Sequence, residues 1–372
     1  MIRAFKFRLR PNKAQAEALD TMLGDFCALY NACLEQRVDA YRRRGVTIRA
    51  AQQMAELKAV READPALARW SFTGLQQVVR RVDKTYAAFF RRGRGFPRFR
   101  SRARFDSADM RVGDGLTIRK TRRLGVVGVP GEVKAVWHRD LPPGAKLGHA
   151  VLSRQAGRWF ACFQVEFETE VSPHAGPAVG IDLGLHSLIA TSDGETVEAP
   201  RFARKAAASL RRKHRALGRC KRGSKRRLKA KARLAAASAK VANQRRDFAH
   251  KLSRSLADRY GRIAFEDLNV KGLARGMLAR SVHDAAWSQL VRFTTYKAEG
   301  AGGSVVLVEP SGTSQTCPGC GTVARKTLAQ RRHICECGCD LDRDVAAARV
   351  VLQRATPPHG TCGRTPSQRV AA

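Results

Sequence analysis

The chain has 372 residues, 44% of them apolar, enough for two or three domains that each bury a core and too apolar for a disordered tail. Lysine and arginine number 70 against 32 aspartates and glutamates, a formal charge of +38. A compact chain so charged repels itself unless a polyanion covers it, and phosphate binding gains from counterion release, so nucleic acid is the expected partner. Attraction to a membrane surface would need an amphipathic helix with a broad apolar face, which the most basic segment lacks. No run reaches the ~18 apolar residues of a membrane helix, and residues 1–10 hold no apolar signal-peptide core, so the expected location is cytoplasmic.

Residues 5–10 alternate apolar and cationic side chains, which predicts a strand with Lys6, Arg8 and Arg10 on the face open to solvent or phosphate. Pro11 and Asn12 open a helix marked by Leu19, Met22, Leu23, Phe26, Leu29, Tyr30 and Cys33 at spacings of three and four. A second amphipathic helix carries Leu75, Val78, Val79, Val82, Tyr86, Phe89 and Phe90. Residues 91–105 interleave arginines, among them Arg98 and Arg100, with Phe96, Phe99 and Phe105; the pattern suits phosphate contact with base stacking, and equally a loop whose phenylalanines dock on the core. From 106 to about 175 the period becomes two, with glycine turns, predicting a small antiparallel β domain into which the first strand pairs.

After a linker at 173–177, the pattern becomes α/β: a strand ending in Gly180-Ile181-Asp182, two more strands forming a meander to Ala199, a strand Arg262 to Phe265 leading into Glu266, a helix near 285–299, a strand Val305 to Val308, and a last helix starting near Asp344. Residues 201–246 carry nineteen lysines and arginines and no acid, with Gly223-Ser224 expected to break them into two helices. Arg211, Arg212, Lys213, Lys221, Arg222, Lys225, Arg226 and Arg227 are the candidate phosphate contacts there. Residues 356–372 are polar and rich in proline and glycine, a composition that predicts disorder.

Five of the ten cysteines crowd between Cys317 and Cys339, pointing to metal and away from disulfides in a cytosolic chain. Cys317, Cys320, Cys335 and Cys337 form two pairs separated by 14 residues, each followed by a glycine, and four thiolates match structural zinc. The second pair is C-x-C, so His333 and Cys339 stand as possible substitutes. Asp182 and Glu266 each end an apolar strand and would project from one sheet edge, while Asp344 at the helix start would complete a cluster of like charges that divalent cations neutralise. Asp342 competes for the third place; two residues apart on a helix, only one of the pair can face the sheet.

These motifs in this order, with Phe265-Glu266-Asp267-Leu268, the cysteine cluster, Asp342-Arg343-Asp344 followed by Ala347-Ala348, and the amino-terminal Arg3 to Pro11 and Ala88 to Phe99 segments, resemble the TnpB family of transposon-encoded proteins, which are similar to type V CRISPR effectors. The resemblance covers almost the whole chain. It implies a multidomain α/β protein: a β-barrel wedge domain (1–10 and 93–172) with an inserted helical recognition domain (11–92), then an RNase H-like RuvC nuclease (178–312 and 340–355) interrupted by a zinc ribbon (313–339). It also implies RNA-guided, magnesium-dependent DNA cleavage beside a short target-adjacent motif, with Asp182, Glu266 and Asp344 as catalytic acids holding two magnesium ions, a guide RNA from the transposon end and double-stranded DNA as partners, and a monomer, with a dimer as the other possibility. One departure stands out: where the family usually carries two asparagines after the last aspartate, this chain has Ala346 and Val350. Rival readings are a transposase acting without a guide, a nuclease-weakened RNA-guided repressor, and a structural RNA-binding protein; the third leaves the three acids unexplained.

Overall fold

The computed structural model describes residues 1–327 and 330–356 of the chain. Residues 357–372, which make up nearly all of the expected disordered tail, lie outside them. The chain divides into two compact units, Met1–Thr169 and Glu170–Ala372.

The first unit opens with strand β1 (Ile2–Arg10), followed by helices α1 (Lys13–Arg44), α2 (Ala50–Ala63), the short α3 (Pro65–Ala68) and α4 (Phe72–Arg92). Six more strands follow: β2 (Ser107–Arg111), β3 (Leu116–Ile118), β4 (Arg123–Val126), β5 (Glu132–Val136), β6 (Lys146–Gln155) and β7 (Arg158–Glu166). Asn12 starts α1 with a reciprocal capping box: its side chain accepts from the Gln15 N–H at 2.9 Å while Gln15 Oε1 accepts from the Asn12 N–H. Gly45 ends α1 in the left-handed conformation, and Arg42, Arg43 and Arg44 complement the negative end of its dipole. Seven strands form one sheet in the order β2-β6-β7-β1-β5-β4-β3, with β1 antiparallel to both β5 and β7. The first strand therefore closes the β region across the helices inserted after it. Its alternation works as the sequence predicts: Phe5, Phe7 and Leu9 are buried with Phe26, Trp70 and Phe163 in one core, while Arg8 and Arg10 are exposed. Helix α2 was absent from the sequence expectation, since only Gln53 and Leu57 are buried along its length and its apolar periodicity is faint.

The second unit holds β8 (Ala178–Leu183), β9 (Ser187–Thr191), β10 (Thr196–Glu198), α5 (Phe202–Gly218), α6 (Lys225–Arg259), β11 (Arg262–Glu266), the short α7 (Val270–Leu273) and α8 (Ala279–Ala285), α9 (Trp287–Glu299), β12 (Ser304–Val308), β13 (Arg332–Ile334), β14 (Asp340–Asp342) and α10 (Arg343–Ala355). Its main sheet runs β10-β9-β8-β11-β12: an antiparallel meander joined through the parallel pairs β8–β11 and β11–β12. One face buries Val179, Ile181, Leu183, Ile263 and Phe265 with Leu256 of α6 and Trp287 and Leu290 of α9. The opposite face carries Ala264 with Val351 and Ala355 of α10. Residues 173–177, read as a linker, are tied into this unit by the His174 N–H to the Gly302 carbonyl (3.0 Å) and the Gly261 N–H to the Pro177 carbonyl (3.1 Å).

Gly180 decides how close α10 comes. A Cβ there would stand 2.0 Å from the Ala348 carbonyl oxygen and 2.6 Å from the Leu352 nitrogen, so helix backbone lies directly on strand backbone. Gly180→Ala should cost about 3 kcal/mol in chemical denaturation, because helix or strand must shift to admit one methyl; a loss under about 0.5 kcal/mol, typical of a surface change, would show that the crossing is loose.

Candidate active site and cysteine cluster

The strand register brings two acids together. Ile181 pairs with Phe265 on adjacent parallel strands, so the next residues, Asp182 and Glu266, stand side by side at the carboxyl ends of β8 and β11. Alternation along each strand then fixes the face. Asp182 shares the side of Gly180 and Glu266 the side of Ala264, both of which meet α10. Helix α10 begins at Arg343, placing Asp344 in its first turn. The Glu266 and Asp344 charges both bear on Asp182; burial first, and then these two charges, push its pKa up to about 8. Arg343 opposes them. Burial also raises Glu266, which is 7% exposed, against the hydrogen bond from Thr313 and the charge of Arg354.

Asp342 does something else. Its side chain caps α10, accepting from the Asp344 N–H at 2.8 Å and the Val345 N–H at 3.3 Å, and the residue is exposed. Of the two competing aspartates, Asp344 is thus the one whose carboxylate is not spent on the helix end, and the helix's positive terminus lies beside it. Thr313 was not visible in the sequence: its hydroxyl hydrogen-bonds Glu266 Oε1 and lies 3.1 Å from the Pro310 carbonyl. Only its place just ahead of Cys317, in the polar run leaving β12, could have drawn notice.

The cysteine region folds as two knuckles. Gly321 and Gly338 take left-handed φ values of 78° and 88°, the conformation each turn needs behind its cysteine pair. Sγ of Cys317, Cys320, Cys335 and Cys337 all lie within 4.8 Å of one another, with 3.6 Å between Cys317 and Cys337 and 3.5 Å between Cys320 and Cys335. Zinc–sulfur bonds of about 2.3 Å in a tetrahedron set sulfur–sulfur edges of about 3.8 Å, so the cluster fits that ion closely. Cys320 Sγ is 3.3 Å from the Thr322 hydroxyl, a contact that stabilises its thiolate and lowers its pKa to about 6. Cys317, His333 and Cys339 form a second compact group, but it shares Cys317 and supplies only three donors. His333 is buried and Lys326 contacts its Nδ1. The hairpin of β13 and β14 carries this region through Asp342, directly into α10.

The basic segment forms two helices, with Ser224 capping α6 by accepting from the Arg227 N–H at 3.1 Å. No residue from 201 to 240 is buried. Among the described residues, Arg245 is the single cation of the nineteen with an ion-pair partner, Asp284 at 4.0 Å. Asp284 also accepts from the Ala203 N–H at 2.9 Å, capping α5 from a distance in sequence. In the first unit Lys6 is engaged, donating to Gln155 at 2.7 Å and lying over the Phe160 ring, and Arg100 is held by its backbone hydrogen bonds to Asn31. Arg98 is exposed. The phenylalanines of residues 91–105 divide between the two readings: Phe105 is 1% exposed, Phe96 and Phe99 are 49% and 59%.

Comparison with known proteins adds a “Putative RNA-guided DNA endonuclease” of Streptomyces pristinaespiralis, 35% identical over 94% of this chain and 88% of that protein. The chain belongs to the TnpB family. Another TnpB relative, the “Putative RNA-guided DNA endonuclease InsQ” of Escherichia coli K12, is 28% identical over 94% of this chain and 92% of its own length. Family models described as “Probable transposase” and “Cas12f1-like, TNB domain” match residues 162–277 and 287–351. A “Helix-turn-helix domain” model matches 1–45, where this TnpB protein folds as β1 and the single helix α1. Among solved structures, a Cas12f1–sgRNA–target DNA complex aligns over 96% of this chain and 100% of that one, with TM-score 0.37 and 14% identity. Among the described residues, no helix is long and apolar enough to cross a membrane.

Asp182 favours its protonated form in the folded state, so its contribution to stability is fully present below its ordinary pKa of 3.8 and is lost as pH rises to about 8. Metal-free protein should lose melting temperature across that window, and Asp182→Asn should lose less. Calorimetry on the two proteins checks this; identical pH slopes would mean that Asp182 titrates as it does in water.

Proposed function

We propose that this protein is an RNA-guided DNA endonuclease that hydrolyses phosphodiesters with Asp182, Glu266 and Asp344, cutting beside a short target-adjacent motif. The observation that carries the reading is the convergence of β8, β11 and the start of α10, which sets Glu266 beside the buried Asp182 and brings the charge of Asp344 to bear on it. Hard carboxylate oxygens that repel one another suit magnesium, which when bound supplies neutralising charge at the attacked phosphate. Asp182 and Glu266 hold their carboxylates on rigid strand ends, and Thr313 fixes the rotamer of Glu266. Asp344 approaches from the helix, and the α10 N-terminus favours the anionic phosphate. The sheet order of the second unit supports an RNase H-like, RuvC-type nuclease across 178–312 and 340–355, with the cysteine knuckles of 313–339 as a zinc ribbon. The seven-stranded sheet with its inserted helices supports a wedge domain and a recognition domain in the first unit.

The exposed cations of α5, α6 and the turn between them, among them Arg211, Arg212, Lys221, Arg222, Lys225 and Arg226, are read as the seat of structured guide RNA and its heteroduplex with target DNA. A guide-free transposase uses the same acids and is favoured by one observation, the “Probable transposase” description of the matching family model. Protein expressed with its native flanking sequence should co-purify with a defined RNA. Replacing the variable end of that RNA should redirect magnesium-dependent cleavage; cutting that persists at protein-fixed sites after RNA removal would establish the transposase. Alanine at Asp182, Glu266 or Asp344 should slow cleavage roughly a hundredfold or more. Asp342→Ala should cost about 1 kcal/mol of stability while most cleavage survives, and an inactive Asp342→Ala beside an active Asp344→Ala would reverse the assignment.

Elemental analysis should find a single zinc ion per chain, diminished in Cys317→Ser, and chelation should unfold the ribbon. Cys339→Ser should leave the zinc content unchanged; its loss there would shift the ligand set toward Cys317, His333 and Cys339.

A further inference from the structure

The first unit contains a cavity of about 870 Å³ between the end of α1, the start of α2 and the end of α4. That volume lies within the roughly 300–1,000 Å³ of ordinary ligand pockets. Its composition is unusual for a structural gap. Tyr41, Tyr86, Phe90 and Phe96 line it, and three of them are large aromatic surfaces left open to solvent: Tyr41 66%, Phe90 74% and Phe96 49% exposed. The rings are already ordered against each other, with Tyr86 and Phe90 stacked at 6.2 Å and 22°, and Phe96 edge-on to Tyr86 at 5.9 Å. Apolar rings at a mouth cost solvation unless something flat covers them.

The charge around those rings is cationic. Arg37, Arg42, Arg49 and Arg91 line the cavity against one acid, Asp83. Among the described residues, Arg37 alone of the four is held by a carboxylate, that of Asp83 at 3.1 Å. Arg37 is itself 7% exposed and donates from Nε to Gln53 at 2.8 Å, yet its Nη2 has no hydrogen-bond partner. A buried guanidinium missing one acceptor is an unmet donor held behind the aromatic lining, on a residue that itself borders the cavity. Aromatic faces for a base and guanidinium groups for its phosphate and carbonyl oxygens are the combination by which single-stranded nucleic acid is held.

We propose that this cavity receives one unstacked nucleotide, drawn from the guide RNA or from the DNA strand beside the target, with its base laid on Phe90 and its phosphate met by Arg42, Arg49 or Arg91. The inference rests on the nucleic-acid function proposed above and assigns it a second, stacking contact apart from the basic helices. A nucleotide enters here because double-stranded nucleic acid exposes no base face, so the site selects a strand end, a bulge or an opened duplex.

Fluorescence anisotropy of the full chain with short oligouridylate and oligothymidylate, at salt high enough to damp phosphate attraction, tests the site directly. Phe90→Ala should weaken binding about tenfold, the loss expected when one base stack disappears, and Phe90→Trp should restore it. Since Phe90 is largely exposed, neither variant threatens the fold. Ultraviolet crosslinking of the complex then separates the sources: a ribonucleotide adduct on the peptide bearing Tyr86 and Phe90 assigns the occupant to RNA, and a deoxyribonucleotide adduct assigns it to DNA. Wild-type binding that is unchanged in Phe90→Ala, or adducts confined to α5 and α6, overturns the pocket while leaving the endonuclease reading intact. Wild-type protein that binds neither oligonucleotide overturns the pocket as well, and the endonuclease reading is then judged on its own guide-RNA test.

Discussion

Negative charge gathered under the first turn of α10 must be tolerated before the site can do anything. Asp182 and Glu266 occupy neighbouring strand ends and Asp344 is brought over them by a helix that presses backbone to backbone on Gly180. The chain offers partial compensation in Arg343, Arg354, the Thr313 hydroxyl and the positive end of the helix. Burial, with the Glu266 and Asp344 charges added to it, still pushes the pKa of Asp182 up to about 8, far above an ordinary carboxylate. Residues that only packed the fold would gain nothing from this arrangement, since an apolar trio of similar size would be at least as stable. On the reading proposed above, that cost is accepted because divalent cations relieve it at a phosphodiesterase site.

The same unit carries the opposite excess a short way along the chain. Nineteen cations between residues 201 and 246 are borne by two helices and the turns around them, with no residue fully buried until Val241. The two helices joined at Gly223-Ser224 are anchored at their far ends, by Phe202 of α5 against Phe248 and by Leu256 of α6 in the core, while between these anchors their order leans on local helix propensity and on the Ser224 and Asp284 caps. Such a surface is poorly suited to self-association and well suited to a polyanion, whose counterion release scales with the phosphates neutralised. On the proposed reading the acids and the cations divide the labour: one group handles a single phosphate at close range, the other many phosphates at low precision.

Much of this was legible in the sequence because strand and helix periods are local. Apolar runs ending in Asp182 and Glu266 located the strands, alanine and leucine among the cations located α5 and α6, and paired cysteines with trailing glycines located the knuckles. The face of the sheet was not written so plainly. Both faces of β8 and β11 are covered, so their residues read as continuous apolar runs without alternation. It takes the parallel register and Gly180 to show that Asp182 and Glu266 point toward α10. Helix phase left Asp342 and Asp344 as alternatives, with only the family resemblance favouring Asp344, and the reason Asp342 is acidic, its capping of α10, needed the observed helix boundary. Thr313 and Asp284 escaped notice because each acts across more than 40 residues of chain, a distance at which no sequence period carries information.

Ala346 and Val350 show how the placement of α10 is maintained without the asparagines usual in the family. Both residues are buried, at 1% and 2% exposure, so an amide at either position would have to find buried partners or be stranded. This chain fills the positions with apolar groups and holds the helix by arginines instead. Arg349 Nε donates to the Ser192 carbonyl at 3.2 Å, and Arg354 Nη1 donates to the Glu309 and Ser311 carbonyls at 2.7 and 2.8 Å. Arg262, at the start of β11, donates to the Ala355 carbonyl at 2.6 Å and so ties down the far end of the helix. These contacts fix α10 along its length, and Gly180 fixes its height above the sheet. Asp344 therefore owes its position to apolar packing and guanidinium–carbonyl bonds, with no side-chain amide at Ala346 or Val350.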